Sequence, residues 1–330
     1  MSLSQPDRNL ALELVRVTEA AALAAGRWMG LGQGEVGRKA AIEAMRVMLC
    51  TVQMQGVVVS GGGPPGDESD LACGETIGNG EGALMDVAVD PIEGVGLLAN
   101  GRGNALSVIA VSDHGTMFDP AESAYMYKIA AGPAASGVID IEKSVEQNLR
   151  AIAQANRKDL DDLTTIVLDR PRHAELIDEI RETGARIRLI TDGDVAGAIM
   201  TAVETTGIDA LFGVGGTAEG VIAACALRCL GGGLVGRLVD LDEDGEVVRD
   251  PASGPGRILE RDDLVAGDNV FFAATGITNG ELLRGVQYTG TGAETYSVTM
   301  RSRSGTIRTV DARHRWDKLM QISQVAYDER

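Results

Sequence analysis

Apolar positions along the chain change rhythm near residue 150. Before that point the pattern is mixed. Asp7, a capping residue after Pro6, starts a predicted first helix, and apolar residues interleaved with alanines run from Leu10 to Trp28. Gly30, Gly32, Gly34 and Gly37 then mark a loop. Ile42, Met45, Met48, Leu49 and Val52 share one helical face and predict a second helix. The β-branched run Gly56 to Val59 reads as a strand, ending in an irregular loop from Ser60 to Pro65. Val87 to Val89 and Asn104 to Val111 predict two more strands.

Later in the chain strands and helices alternate. Helices are predicted at Val145 to Ala155, Ala174 to Thr183, Val195 to Val203 and Ala218 to Leu230. Strands are predicted at Thr165 to Leu168, Ile187 to Ile190 and Ala210 to Gly213. This is the spacing of βαβ units, and it predicts a mostly parallel sheet. The change of rhythm divides the chain into an N-terminal α+β lobe, residues 1–150, and a C-terminal α/β lobe, residues 151–330. Residues 241–263 are acidic, with Gly and Pro, and read as a solvated connection. Open α/β sheets bind ligands at the carboxyl ends of their strands. Three clusters fall there: Asp169 to His173, Thr191 to Asp194, and Gly215 to Glu219.

Composition narrows the function. The chain has 330 residues, 44% hydrophobic but only 3% aromatic, so its core is aliphatic. A net charge of −18 argues against sequence-independent nucleic-acid binding and against an anionic membrane surface. It leaves room for a small anionic substrate, because a local arginine cluster overrides the global sign. The N-terminal residues predict no signal peptide, and the sequence has no apolar run of about 18 residues. None of the four cysteines forms a CxxC pair, and Cys225 and Cys229 read as packing residues of a buried helix. The expected compartment is the reducing cytoplasm.

The strand-end clusters carry the candidate chemistry, each with a plainer alternative. Asp90 and Glu93, in "VAVDPIEGV", are spaced like metal ligands. Arg170 and Arg172 either grip a phosphate or form surface ion pairs. Asp192 and Asp194 either accept hydrogen bonds from sugar hydroxyls or cap the next helix. Gly215 and Gly216 precede a helix whose free N–H groups suit a phosphate, and equally suit a tight turn. His114 and His173 read as structural or surface residues, and Tyr125 and Tyr127 as packing residues.

Together, "VAVDPIEG", "GRGNALSVIAV", "LDRPRH", "RLITDGDVAGAI", "GVGGTAEGVIAA" and "DNVFFAATGITNGELLRGV" resemble the class II, GlpX-like fructose-1,6-bisphosphatases, from about Trp28 to near the C-terminus. The resemblance implies a two-lobed αβαβα layered sandwich of the lithium-sensitive sugar and inositol phosphatase type. It implies hydrolysis of a sugar bisphosphate with Mg²⁺ or Mn²⁺, and a homo-oligomer, dimer or tetramer. It assigns Asp90, Glu93 and Glu219 to metal. It assigns Glu93, Gly94, Val95, Tyr125, Arg170, Arg172, Asp192, Gly193, Asp194 and Gly216 to a phosphorylated sugar.

The chain departs from that pattern at several positions. Val95 stands for a threonine, Gly34 for a lysine and Arg38 for a metal-binding aspartate. Gly62, Pro64 and Gly66 stand where further carboxylates belong. Asp67, Glu68, Asp70 and Glu35 are the nearby acids available to rebuild a site. The expectation is weak or absent metal binding and low classical activity, with Asp90, Glu93 and Arg38 as the catalytic candidates. The alternatives are metal-independent phosphosugar chemistry in the same pocket, such as isomerisation or elimination, and a non-catalytic phosphosugar-binding paralogue.

Overall fold

Helix α1 (Ala11–Ala25) is mostly alanine and short aliphatic residues, and it is buried on nearly every face. Small side chains let it lie close to what surrounds it. Its fully buried Thr18 is satisfied inside the core: Thr18 Oγ1 lies 2.7 Å from Thr275 Oγ1, which is 2.8 Å from Ser297 Oγ. The computed structural model describes residues 10–61, 71–248, 256–321 and 327. The expected helix start at Asp7 therefore lies outside the described residues.

Helix α2 (Gly34–Leu49) corrects the glycine-loop expectation. The loop ends at Gln33, and Gly34 and Gly37 are helical. A Cβ on Gly34 would come within 2.8 Å of Val95 Cγ1, and one on Gly37 within 2.8 Å of Leu98 Cδ2. These glycines let α2 start hard against α3 (Val95–Ala99). Tertiary packing overrides their poor helix propensity.

The first sheet holds β1 (Gln55–Ser60), β2 (Thr76–Ile77), β3 (Leu84–Glu93) and β4 (Leu106–Asp113). The chain then leaves for the second sheet. That sheet holds β5 (Tyr125–Ala131), β6 (Thr164–Leu168), β7 (Arg186–Ile190), β8 (Ala210–Gly216), β9 (Gly233–Leu241), β10 (Val247–Val248) and β11 (Ile258–Glu260). It returns to the first sheet with β12 (Phe271–Gly276), β13 (Gln287–Thr289), β14 (Gly292–Arg301) and β15 (Thr306–Arg315). The first sheet runs β13-β14-β12-β4-β3-β1-β2 with β15 also on β14, and only the β1–β3 pair is parallel.

The second sheet runs β10-β9-β5-β8-β6-β7, with β11 on β9. Its helices are α4 (Val145–Asn156), α5 (Ala174–Glu182), α6 (Asp194–Met200) and α7 (Thr217–Leu230). The expected alternation of strand and helix is present, but the sheet is mixed. Only β6–β7 and β6–β8 pair in parallel. β5 inserts antiparallel between β8 and β9, separating two strands that α7 connects in one direction. The acidic stretch after β9 is not merely a connection: β10 and β11 fold back onto β9.

Strand alternation distributes the core. Val87, Val89, Ile109 and Phe271 pack under α1 and α2. Ala88, Val108, Ala110 and Phe272 point the other way, onto α6 and α7. Ile129, Val167 and Phe212 of the second sheet pack on Leu149 and Ile152 of α4 and Ile177 and Ile180 of α5. The order is helices, sheet, helices, sheet, helices, as the resemblance implied. No helix among the described residues is long and apolar enough to cross a membrane.

The Thr18–Thr275–Ser297 chain of hydroxyls ties α1 to β12 and β14. Thr275→Val is expected to lower unfolding free energy by about 1–3 kcal/mol, because it strips a buried partner from two hydroxyls at nearly constant volume. Urea titration of both proteins measures this.

Candidate functional site

Five carboxylates from three chain segments meet where the two sheets face each other across α6 and α7. The first segment is the end of β3. Pairing of β3 with β4 slips between Asp90 and Glu93, a bulge that re-aims both side chains. Asp90 Oδ1 accepts the Ile92 N–H at 3.0 Å, a local turn contact. Gly94 follows at φ +92°, a left-handed conformation that suits glycine, and the chain enters α3.

Glu93 crosses to the other half of the molecule. Its Oε1 accepts the Val195 N–H, 2.9 Å away at the start of α6. Its Oε2 is buried and has no hydrogen-bond partner among the described residues. The second segment, Asp192-Gly193-Asp194, joins β7 to α6. Gly193 has φ +95°, and a side chain there would begin 3.5 Å from Glu93 Oε2. Asp192 Oδ1 accepts the Gly193 N–H at 3.1 Å.

The third segment is the turn from β8 into α7. A Cβ on Gly216 would lie 1.7 Å from Glu219 Oε2, so glycine is what lets the Glu219 carboxylate fold back over the strand end. Gly215 makes similar room for Asp194 Oδ2, which a Cβ there would approach to 2.2 Å. Lys128, on β5, completes the arrangement. Its Nζ lies 2.6 Å from Asp194 Oδ2 and donates to Gly216 O at 3.0 Å, with only 3% of the side chain exposed. Lys128 is absent from the strand-end clusters legible in the sequence. Its one signal is a lone charge inside the apolar run "YMYKIAA".

A cavity of about 280 Å³ opens on this cluster, lined by Arg38, Ser60, Asp90, Val95, Asp192 and Glu219 among others. Asp90 is pushed up to about 7, by burial first and then by the Glu219 charge, while the Ile92 N–H and Arg38 pull the other way. Burial and then Asp194 and Asp90 hold Glu93 well above the usual carboxylate range. Burial and then Asp194 raise Glu219, against the opposing pull of Lys128. The acids repel one another in a poorly hydrated space.

The arginines adjoin this cluster. Arg172 donates to Val214 O at 3.0 Å, and burial first and then the Arg170 charge lower its pKa, with Tyr125 and Asp194 acting in the opposite sense. Arg172 thus lies within electrostatic reach of Arg170, Tyr125 and Asp194, and Asp194 also acts on the acidic cluster.

His173 is structural, as expected. Its Nδ1 lies 2.7 Å from Leu168 O and its Nε2 accepts the Val214 N–H at 2.8 Å, bridging β6 and β8. His114 pairs with Asp86 away from the site. Cys225 and Cys229 are buried in α7. Tyr127 is half-buried against the α4–α5 core, while Tyr125 is 38% exposed. Glu35 is exposed in the first turn of α2. Gly62, Pro64, Gly66, Asp67, Glu68 and Asp70 lie outside the described residues. Among the described residues no three Asp, Glu, His or Cys side chains converge closely enough to cage a metal.

The family model described as bacterial fructose-1,6-bisphosphatase, glpX-encoded, matches residues 8–314. A fructose-1,6-bisphosphatase class 2 from Haemophilus influenzae is 41% identical over 333 residues, covering 97% of this chain and 100% of that protein. Two proteins named D-fructose 1,6-bisphosphatase class 2/sedoheptulose 1,7-bisphosphatase, from Synechococcus sp. strains JA-2-3B'a(2-13) and JA-3-3Ab, are each 40% identical, over 337 and 340 residues. Each alignment covers 94% of this chain and 97% of the relative.

The raised carboxylates make stability depend on pH. Folded Asp90 holds its proton to about 7, whereas the unfolded chain releases it near 3.8. The folded state therefore binds more protons between these values, and stability falls as pH rises through them. In chelator-treated protein, Asp90→Asn is expected to raise the melting temperature at pH 8 by about 2 °C or more, the gap closing towards pH 4. Thermal melts across that range test this.

Proposed function

Because the chain belongs to the family of bacterial, glpX-encoded fructose-1,6-bisphosphatases, we propose that it is a phosphoric monoester hydrolase acting on a sugar bisphosphate. The observation that carries the reading is Asp194, whose charge, paired with Lys128, acts both on Glu93 of the acidic cluster and on Arg172. A sugar bisphosphate presents two anionic ends with hydroxyls between them. Arg170 and Arg172 grip the phosphate that stays, as guanidiniums do bidentately, with Tyr125 beside them. Asp192 and Asp194, set by the Gly193 turn, accept hydrogen bonds from the sugar hydroxyls. Glu93, Gly94, Val95 and Gly216 line the end where the phosphate ester is cut.

The residues at that end fit a divalent cation. The donors are hard carboxylate oxygens, they repel one another, and Glu93 Oε2 is buried without a partner. Asp90 and Glu219 on the cavity wall, supported by Glu93, are the groups that would hold Mg²⁺ or Mn²⁺. Mg²⁺ sites commonly use one or two carboxylates, with substrate phosphate and water supplying the rest, which needs no protein cage. Such a cation, when bound, neutralises phosphate oxygens and makes a bound water more acidic. Glu93 is fixed for this by the Val195 N–H and by its packing against Gly193. Arg38 supplies fixed positive charge against the phosphoryl group from the same wall. Val95 offers no hydroxyl there, and turnover is expected to be lower than in family members with the full carboxylate set.

A second reading rests on Arg38 itself. It lines the cavity with Asp90 and Glu219 and acts on Asp90 as a metal would, favouring the ionised carboxylate. In that reading Arg38 takes the place of the cation, and the pocket binds phosphosugars for metal-independent chemistry or for binding alone.

Inorganic phosphate released from fructose 1,6-bisphosphate or sedoheptulose 1,7-bisphosphate, with Mg²⁺ or Mn²⁺ and again after EDTA, separates the readings. Release that needs the cation is the expected result. Turnover unaffected by EDTA supports Arg38, and binding without release refutes the hydrolase. Arg172→Met is expected to raise KM about tenfold or more, the loss of a charge-assisted contact to phosphate, with a smaller effect on kcat.

A further inference from the structure

Strand β15 pairs with β14 through ten consecutive positions, from Thr306 opposite Arg301 to Arg315 opposite Gly292. Its other edge has no strand partner among the described residues. A long open edge invites pairing with another chain, and proteins usually blunt it with proline, a bulge or charged side chains. β15 has no proline and no bulge, and its charges are of both signs, Asp311 among Arg308, Arg313 and Arg315. Its register is continuous, and "TIRTVDARHR" contains no Pro, Gly or Lys. On one face Ile307, Thr309, Asp311, Arg313 and Arg315 are all exposed, and Ile307 is 51% exposed. The strand carries both signs of charge, three arginines and one aspartate.

We propose that this edge is a self-association surface, and that its partner is a second copy of this chain. The β15 strands of two copies pair antiparallel about a two-fold axis, extending one sheet through both. The resemblance implied that copies assemble but not through which surface, and the pairing does not depend on the chemistry proposed for the site. A two-fold axis normal to the sheet keeps like faces together, so it passes through a residue and not between two. Charge then selects the residue. An axis at Asp311 opposes two aspartates, and one at Arg313 opposes two arginines. An axis at Val310 opposes no opposite charges. An axis at Ala312 sets Asp311 against Arg313 of the second copy, twice, with no like charges directly opposed. It also sets the small Ala312 against itself, Val310 against His314, and Thr309 against Arg315. Within each copy Arg313 Nε already lies 3.0 Å from Glu294 Oε1 on β14, so alternating charge continues across the joined sheet.

Sedimentation equilibrium on the full chain at low salt, over a concentration series, tests the surface and the register together. The wild type is expected to dimerise. Asp311→Arg alone, or Arg313→Asp alone, places like charges opposite one another twice and is expected to weaken dimerisation about tenfold or more. The two changes combined restore opposite charges and are expected to restore dimerisation. Both side chains are exposed, so melting temperatures close to wild type will show that all variants fold. Phosphate release, assayed separately, leaves the hydrolase reading to stand or fall by itself. A monomeric wild type, single variants that associate normally, or a double variant as weak as the singles overturns the proposal.

Discussion

The ion pair between Lys128 and Asp194 holds the site's electrostatics together. It is 2.6 Å long and nearly closed to water, and Lys128 also donates to Gly216 O. One side chain on β5 thereby fixes the start of α6 and the turn into α7. Removing either partner of such a pair leaves an uncompensated buried charge, typically a cost of about 3–5 kcal/mol. The neighbouring glycines are part of the same constraint. Any side chain at Gly215 would collide with Asp194 Oδ2, and any at Gly216 with Glu219 Oε2. The carboxylates are close because the backbone beneath them carries no Cβ.

Lys128 pairs with Asp194 and Arg38 acts on Asp90, yet burial and mutual repulsion outweigh them at Asp90, Glu93 and Glu219. Burial first, and then repulsion between the acids, raises the pKa of all three. A folded protein that concentrates like charge in this way gives up stability for a function. An anionic phosphate would not enter such a cavity without added positive charge. A divalent cation and Arg38 are the two sources the proposed function invokes. Either source favours the ionised acids over the protonated ones, so recognition of the substrate and relief of the repulsion are coupled.

Much of this fold was legible in the chain because it is local. The helix from Val145 starts at a capping box of Ser144 and Gln147, and the strand ends that carry Arg170, Asp192 and Glu219 follow regular apolar runs. The failures share one cause, which is packing between segments distant in sequence. Gly34 and Gly37 look like loop residues until Val95, Leu98 and Trp28 are seen against them. The sheet looked parallel because nothing near Thr165 or Ala210 reveals that Tyr125–Ala131 inserts beside them. Lys128 was missed for the same reason, since its partners lie 66 and 88 residues further on. Asp90, Glu93 and Glu219 were found through motif resemblance, and periodicity alone would have shown only a strand end and a helix start.

The insertion of β5 helps explain why the site lies where the two sheets face each other. Without it, β8 and β9 would lie side by side as an ordinary crossover pair, and the carboxyl end of β8 would have only α7 and β6 as neighbours. With β5 between them, Tyr125 and Lys128 are delivered to that strand end from the opposite direction, Tyr125 in register with Gly216 and Lys128 with Gly213. The Lys128 side chain then reaches along the sheet to the Gly216 carbonyl. An antiparallel strand brings its amino-terminal residues to the carboxyl ends of its neighbours, so a single insertion supplies both an aromatic hydroxyl and a buried cation where a parallel sheet offers mainly loops. The mixed topology that local spacing concealed is therefore also what equips the site.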